Sequence, residues 1–377
     1  MRILFTGGGS GGHFFPIIAV IRELKRIAEE EQILDLELFY MGPDNFGKEM
    51  LAAEEVYAFR VLSGKMRRYA SGANILDMFK LLIGILQAVW NMFIVYPDVV
   101  FSKGGYGALP SVIAAAIFRI PLVIHESDAI PGKVSRFSAR FAKRIGIAFV
   151  AASEYFPKEK TAVVGIPVRK RILGGNKEQA KESLGVFTPL PVIGFIGASQ
   201  GALKINDAVV GILKEITDEY EVIHATGKTN FEQVKGEADV ELEFGHKERY
   251  HAFGFLDEQQ MREFYAACDL IVSRAGASSI FEIAAWSKPC ILIPLLGSAQ
   301  EHQLKNAYAY AAFGACQIIE EGNLMPHILL SEIKKIMDNP ETQHRMSEAA
   351  QRFSRIDAGE IIAREILKLG LHEELQK

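Results

Sequence analysis

The chain has 377 residues, 49% of them hydrophobic, and its 42 basic and 46 acidic side chains leave a formal net charge of -4 at pH 7. That length exceeds what one hydrophobic core usually serves, so two domains are expected, and the composition excludes a disordered or fibrous chain. A slightly acidic balance supplies no overall basic field for a nucleic-acid partner.

In chain order, Arg2–Thr6 reads as a buried strand. The stretch FTGGGSGGHFFP (5–16) follows, and Pro16 then opens a helix whose apolar periodicity runs through Leu24. Further strands are expected at 34–42, at 56–62, from Val99, at 121–127 and at 144–152, with an alanine-rich helix over Leu109–Phe118. The apolar segment Leu81–Tyr96 is interrupted by Gln87 and Asn91. It falls short of the roughly 20 apolar residues a membrane span takes, so a buried or interfacial helix is expected. GVFTPLP (185–191) reads as a linker, after which the pattern restarts with strands at 192–197, 221–227, 250–256, 269–276 and 289–295. A polar Asp-Asn-Pro turn near 340 precedes a terminal helix over Glu360–Leu369, with Gly370 as its stop. No fixed-period repeat is found. Strands alternating with helices predict an α/β fold with parallel sheets covered on both faces. The three cysteines, Cys268, Cys290 and Cys316, form no CxxC pair, which favours a reducing compartment. The sequence opens directly on a strand, with no signal-peptide pattern ahead of it.

Glycine tolerates positive φ and lets a ligand approach the backbone closely. Gly7, Gly8, Gly9, Gly11 and Gly12 lie between a strand and a helix, where unpaired N–H groups and the helix dipole favour phosphate. The loop is not a Walker motif, because His13 stands where Lys-Ser/Thr would follow. His13 reads either as a proton carrier beside a phosphate or as a ring that packs the turn. GASQGALKIN (197–206) repeats the idea in the second half, and Ser199 either helps hold a diphosphate or caps the next helix. In SRAGASSIFEIAAWSKPCILIPL, Gly276 ends a turn and Ser278 or Ser279 can cap a helix. Glu282, one turn inside, either receives two ribose hydroxyls or complements the helix dipole. His302, Gln303 and Asn306 are grouped at helical spacing just beyond an apolar strand, and amides suit sugar hydroxyls.

Together these motifs resemble the MurG family of glycosyltransferases over nearly the whole chain. The resemblance rests on GGGSGGHFFP, FSKGGYGALP (101–110), IHESDAIPGKVSR (124–136), GIPVR (165–169), GASQGALKIN, SRAGASSIFEIAAWSKPCILIPL and EHQLKNA, in that order. It implies a GT-B fold, two Rossmann-like domains with parallel sheets facing across a cleft. The implied organisation is an acceptor and membrane-associating domain over 1–165, a linker region over 166–190 and a UDP-sugar domain over 191–340. The helices of 341–377 would pack back on the first domain. The implied reaction is inverting transfer of N-acetylglucosamine from UDP-N-acetylglucosamine to the C4 hydroxyl of the muramoyl sugar of lipid I, giving lipid II. Gly8, Gly9, Ser10, Gly11, Gly12, His13, Gly104, Gly105 and Tyr106 would face the acceptor diphosphate. Ser199 and Gln200 would contact the donor diphosphate, with Arg169 nearby. Phe253, Gly254 and Phe255 would lie at the uracil, Glu282 at the ribose, and His302, Gln303 and Asn306 around the transferred sugar. The chain departs from the family's usual pattern at Ser10 (Thr), Ser127-Asp128 (Gln-Asn), Ile166 (Asn) and Ala198 (Gly), and at His302, which is Gln in some members.

His13 and Asp128 are the candidate bases, His13 being favoured by an ordinary pKa of about 6.5. No Asp-x-Asp metal motif stands by the donor loops, so no metal site and no strict need for a divalent cation are expected, and no cofactor. Expected partners are undecaprenyl-linked lipid I, an anionic membrane surface and cell-wall assembly proteins, at the cytoplasmic face of the cell membrane. Lys65, Arg67 and Arg68 beside Phe79 and Leu82 suit such a surface, each basic residue adding about 1 kcal/mol. Residues 65–82 are read as the contacting part, and much of 78–95 as the buried face of a sheet-covering helix. Alternatives are another GT-B transferase with a different lipid or small-molecule acceptor, a UDP-sugar epimerase or hydrolase, or a non-catalytic nucleotide-sugar-binding module.

Overall fold

The structure, a computed structural model, describes residues 1–8, 11–33, 35–43, 47–64, 73–197, 202–297 and 301–371, with the backbone alone for 73–75. The chain divides into two units, Met1–Arg169 with Arg355–Lys377, and Lys170–Ser354. Each is built on a parallel sheet.

Unit 1 carries β1 (Arg2–Thr6), β2 (Glu37–Gly42), β3 (Tyr57–Arg60), β4 (Val99–Ser102), β5 (Leu122–Glu126), β6 (Arg144–Ile147) and β7 (Thr161–Val163). They form a seven-stranded sheet in the order β3-β2-β1-β4-β5-β6-β7. β4 and β5 are buried along their whole length, as unbroken apolar runs in a parallel sheet should be. The strand order reverses between β1 and β4, and the carboxyl ends of those strands are where an open α/β sheet binds ligands. The expected strand at 144–152 stops at Ile147, because Val150–Tyr155 turns into 3-10 helix. β7 escaped the sequence reading: three residues, two of them exposed, are too few to display a period.

The first helix runs Gly11–Glu30 and holds Pro16 in its interior rather than at its start. Its inner face, Ile17, Ile21 and Leu24, packs with Ile3 and Phe5. The same core receives Ile362, Ala363, Ile366 and Leu367 of the helix Ala358–Gly370. Ion pairs border that packing: Arg26 to Glu360 at 3.0 Å, Arg364 to Glu31 at 2.7 Å and Arg144 to Glu365 at 2.7 Å. These exposed or half-exposed pairs set register more than they add stability.

Unit 2 carries β8 (Val192–Ile196), β9 (Glu221–Ala225), β10 (Tyr250–Phe253), β11 (Leu270–Ser273), β12 (Cys290–Leu292) and β13 (Cys316–Ile318). Their order, β10-β9-β8-β11-β12-β13, puts the reversal between β8 and β11. The segment expected as a linker, 166–190, mostly belongs here. Trp286 Nε1 donates to Ile172 O at 2.9 Å, and Lys181 Nζ holds the carbonyls of Thr188 and Leu190 at 2.7 and 3.0 Å. The helix Pro340–Phe353 also belongs to unit 2, where Phe353 meets Phe281 and Tyr310 with ring centroids 4.8 Å apart in each case. Of the region 341–377, the part from Arg355 onward, which carries the last helix, returns to unit 1.

Among the described residues one helix, Ala73–Val95, is long and apolar enough to cross a bilayer. Its inner face is committed to unit 1. Gln87 Oε1 accepts from Leu62 N at 2.9 Å, and a Cβ on Gly84 would stand 1.7 Å from Leu62 O. Ala88, Met92 and Val95 are buried. The outer face is apolar too: Leu76, Phe79, Ile83, Leu86, Trp90 and Phe93 recur every three or four residues and are exposed, Leu86 to 70%. This corrects the expectation that 78–95 is mainly a buried face. Leu82 is exposed as well, whereas Lys65, Arg67 and Arg68 lie outside the described residues.

Because Ile366 is fully buried where the last helix meets the first, Ile366→Ala is expected to destabilise unit 1 by about 2–5 kcal/mol. Urea unfolding should show a lower midpoint, with an unchanged far-ultraviolet spectrum before the transition.

Candidate active site

In unit 1 two glycine turns leave the sheet side by side. After β1 come Gly7 and Gly8, the latter at φ 129°, and after β4 come Gly104 and Gly105 at 76° and 77°. A Cβ on Gly105 would stand 2.9 Å from Gly8 O and 3.4 Å from His13 Nε2, so glycine is required both for the dihedral and for the contact. Lys103 N bonds Thr6 O at 2.9 Å, and Tyr40 Oη donates to Gly7 O at 2.9 Å. Gly11, Gly12 and His13 form the first turn of the helix, and Tyr106 opens the 3-10 turn after Gly105. Gly9 and Ser10 lie outside the described residues. His13 Nδ1 is 3.2 Å from Lys103 O. A carbonyl can only accept, so Nδ1 carries the proton and Nε2 is the basic nitrogen of the neutral ring.

Lys103, at the end of β4, is one of the largest fully buried side chains. Burial pushes its ammonium down to about 8, partly offset by Glu126 and Asp128. Its Nζ donates to Ser127 Oγ. Glu126 closes the loop after β5 by accepting from Asp128 N at 3.0 Å and Gly132 N at 3.2 Å. Burial, then Asp128, raise Glu126 above its ordinary 4.5. His125 donates Nε2–H to Gly165 O at 2.7 Å. Burial, then the charge of Lys103, hold its pKa well below the ordinary 6.5 and keep the ring neutral. Arg169, the last residue of the first segment of unit 1, lays its guanidinium over the Phe15 ring at 4.3 Å. The structure therefore brings His13 beside Gly105 and the Lys103 carbonyl, and sets Asp128 on the loop that Glu126 closes.

In unit 2 the turn after β8 leads into the helix Leu203–Val210, with Ser199 and Gln200 outside the described residues. Asn206 of that helix donates to Thr226 O at 3.0 Å, so its Oδ1 accepts His224 Nε2–H at 3.0 Å, and His224 Nδ1 receives the Tyr250 hydroxyl at 2.9 Å. Burial lowers His224 to about 3, which keeps this chain of hydrogen bonds neutral. Thr226 N bonds Phe253 O at 2.9 Å, which fixes the turn carrying Gly254 and the half-exposed Phe255. Lys228 Nζ sits 4.6 Å from the Phe255 ring centroid. After β11, Gly276 rather than Ser278 or Ser279 caps the helix Ala277–Ala285. Glu282 on that helix accepts the Tyr265 hydroxyl at 3.0 Å. Gln303 Oε1 accepts Leu295 N at 3.0 Å, which leaves its NH2 as a donor. His302 Nδ1 is buried and without a hydrogen-bond partner among the described residues, and Asn306 is fully buried. Among the described residues no group of three or more His, Cys, Asp or Glu side chains could hold a metal ion.

The glycosyltransferase family 28 N-terminal domain matches residues 3–147, and the C-terminal domain of that family matches residues 192–360. The chain belongs to glycosyltransferase family 28. Its relatives include proteins named UDP-N-acetylglucosamine–N-acetylmuramyl-(pentapeptide) pyrophosphoryl-undecaprenol N-acetylglucosamine transferase. That of Legionella pneumophila strain Paris is 37% identical over 89% of this chain and 88% of its own length. One from Bacillus thuringiensis strain Al Hakam is 34% identical over 90% and 92%. The crystal structure of Acinetobacter baumannii MurG superposes with a TM-score of 0.74 at 24% identity, covering 97% of this chain and 99% of that one. A putative UDP-N-acetylglucosamine 2-epimerase of Listeria monocytogenes gives 0.72 at 14% identity, covering 100% and 97%, a likeness of fold alone. Two Rossmann-like units place this family 28 glycosyltransferase in the GT-B class.

Four charged residues of the family 28 units were not singled out from sequence. Lys103 and Glu126 lie inside quoted motifs, and the available signal was a charge at the end of an apolar strand. Arg274 follows β11 in the same way. Its Nη2 donates to Glu321 Oε1 at 2.5 Å and its Nη1 to Ile293 O at 3.3 Å, while Lys204 approaches Glu321 at 3.6 Å. Glu321 opens the 3-10 turn Glu321–Asn323, whose sequence gives no hint of an ion pair. Burial alone would raise its pKa, but the Arg274 hydrogen bond and charge, Leu296 N–H and Lys204 outweigh burial and hold it below the ordinary 4.5. Glu321→Gln leaves a buried guanidinium uncompensated and is expected to destabilise unit 2 by about 3 kcal/mol or more at pH 7. A depressed carboxylate stabilises the fold above its unfolded pKa and loses that effect as pH falls through the folded value. The gap between wild-type and variant urea midpoints should therefore be full at pH 7 and narrow below the ordinary value of 4.5.

Proposed function

We propose that this family 28 glycosyltransferase transfers N-acetylglucosamine from UDP-N-acetylglucosamine to the C4 hydroxyl of the muramoyl sugar of lipid I, giving lipid II. The observation that carries this reading is 34–37% identity across about nine-tenths of the chain to relatives bearing that activity in their names. The acceptor diphosphate would lie on the turns of Gly8 and of Gly104–Tyr106 and on the helix start at Gly11–His13. The donor would use Arg169, Ser199 and Gln200 for its diphosphate, the Phe253–Phe255 turn for uracil and Glu282 for ribose. His302, Gln303 and Asn306 would surround the sugar.

Transfer is a single displacement. The acceptor oxygen attacks C1 of the donor sugar, the bond from C1 to the diphosphate oxygen breaks, UDP leaves, and the configuration at C1 inverts. The hydroxyl proton goes to an enzyme base. We assign it to His13, whose Nδ1–H bond to Lys103 O keeps Nε2 as the accepting nitrogen, with Asp128 as the alternative base. Positive charge near the leaving diphosphate, rather than a resident metal, would stabilise it.

The acceptor carries a polyprenyl tail, and each CH2 kept in lipid is worth about 0.8 kcal/mol. The enzyme would therefore come to the bilayer, and the outer face of Ala73–Val95 supports this. We assign it to peripheral contact with an anionic, cytoplasmic-facing membrane surface, with cell-wall assembly proteins as prospective partners.

Purified protein given radiolabelled UDP-N-acetylglucosamine and a short-chain lipid I analogue should place label in a lipid product only when the analogue is present. UDP release without lipid product would overturn the acceptor assignment. His13→Ala should lower turnover at least ~10²-fold with donor binding retained. Leu86→Ser with Trp90→Ser should reduce cosedimentation with anionic vesicles while leaving turnover of a soluble acceptor analogue intact, and equal cosedimentation would sink the membrane assignment.

A further inference from the structure

Residues 293–297 follow β12 and precede the helix His302–Ala311, which carries Gln303. Leu295 and Leu296 are exposed to 41% and 53%, so apolar burial does not set the course of this strap. Hydrogen bonds do. Ile293 N donates to Ser273 O at 2.8 Å, and Ile293 O accepts Arg274 Nη1 at 3.3 Å. Pro294 has no N–H, and the next two amides are each held by a side chain. Leu295 N donates to Gln303 Oε1 at 3.0 Å, and Leu296 N to Glu321 Oε2 at 3.3 Å. Glu321 is the node of this set. Its Oε1 accepts Arg274 Nη2 at 2.5 Å, and Lys204 Nζ stands 3.6 Å from its Oε2. Arg274 and Glu321 are each 7% exposed. A well-packed apolar pair of similar volume would hold the fold as well or better, so stability alone does not call for the ions. What an apolar pair could not supply is the donor to Ile293 O and the acceptor for Leu296 N.

We propose that Glu321 and Arg274 are positioning residues for the donor sugar: they clamp the strap so that the Leu295 amide holds Gln303 Oε1 and leaves the Gln303 NH2 to a hydroxyl of that sugar. The sugar contact rests on the donor reading above; the clamp does not. A long amide side chain that nothing holds must be ordered when its ligand binds, and that lost freedom weakens affinity. Gln303 is assigned to the sugar and not to the nucleotide, so loosening the strap should weaken UDP-N-acetylglucosamine and spare UDP.

The test separates stability from position by exchanging the ions for apolar side chains, Arg274→Met with Glu321→Leu, in the full chain. This double variant should melt at or above Glu321→Gln, because no buried charge is left without its partner. Without ligand, amide hydrogen exchange in residues 293–297 should be at least ~10-fold faster than in wild type. By calorimetry, its Kd for UDP-N-acetylglucosamine should rise at least ~10-fold while its Kd for UDP stays within ~2-fold. Glu321→Gln, assayed well below its melting temperature, should show the same split. In a Gln303→Ala background the double substitution should weaken UDP-N-acetylglucosamine less than ~2-fold further, since the effect passes through that side chain. A double variant that melts below Glu321→Gln would make the pair a structural one and overturn the positioning role, as would an equal loss for UDP or a full loss in the Gln303→Ala background. Unchanged exchange in the strap would overturn the clamp. A wild-type protein that binds no UDP-N-acetylglucosamine would remove the donor reading, and the exchange rates would still decide the clamp.

Discussion

No side chain fits at Gly105, because a Cβ there would press on Gly8 O at 2.9 Å. This contact decides much of unit 1. It brings the turns after β1 and β4 together at the point where strand order reverses. The chain can meet it only with glycine at positive φ on the β4 side. Once the turns touch, Lys103 N reaches Thr6 O and the Lys103 carbonyl meets His13 Nδ1. The Lys103 carbonyl thereby selects the tautomer protonated at Nδ1.

Both units handle buried polar groups by two distinct routes. Histidines are kept neutral: His125 and His224 are buried, lowered in pKa and bonded in a single tautomeric sense. A neutral ring with one donor and one acceptor can link elements without the desolvation penalty of a charge. Two buried cations, by contrast, lie just past the carboxyl ends of central strands. Lys103 follows β4 and Arg274 follows β11, each next to its sheet's reversal point. Parallel strands direct their side chains into apolar layers along their length, so the first position beyond the strand is where a polar group can turn toward a ligand face.

The fold was legible where a sequence pattern was long enough to repeat. β1, β4, β5 and β8 to β12 all lie within their expected ranges, because unbroken apolar runs and turn residues bracket them. Two short strands, β7 and β13, left no such trace. Pro16 misled the reading of the first helix. Proline favours a first turn, but the helix begins five residues earlier at Gly11 and carries the ring inside. Of the candidate site residues, those in glycine motifs were nameable from sequence because the backbone chemistry is local. The Arg274–Glu321 pair could not, since it joins residues 47 positions apart that no local pattern connects. Motif reading finds groups that a short segment positions by itself, and misses those positioned by sheet topology.

The helix Ala73–Val95 tests the difference between hydrophobicity and burial. Its residues are apolar nearly all round, a pattern that usually denotes a core or spanning helix. Yet two inner positions make specific commitments: Gly84 allows the backbone of Leu62 to approach, and Gln87 bonds the Leu62 amide. A helix fastened along one side to its own unit cannot surround itself with lipid. The outer stripe, stepping by three and four from Leu76 to Phe93, remains uncovered over five turns of helix. That geometry suits a helix lying in the plane of an interface with one face immersed, as the proposed bilayer contact requires. The polar Gln87, which interrupts the apolar run in sequence, thus faces the protein and leaves the outer stripe apolar.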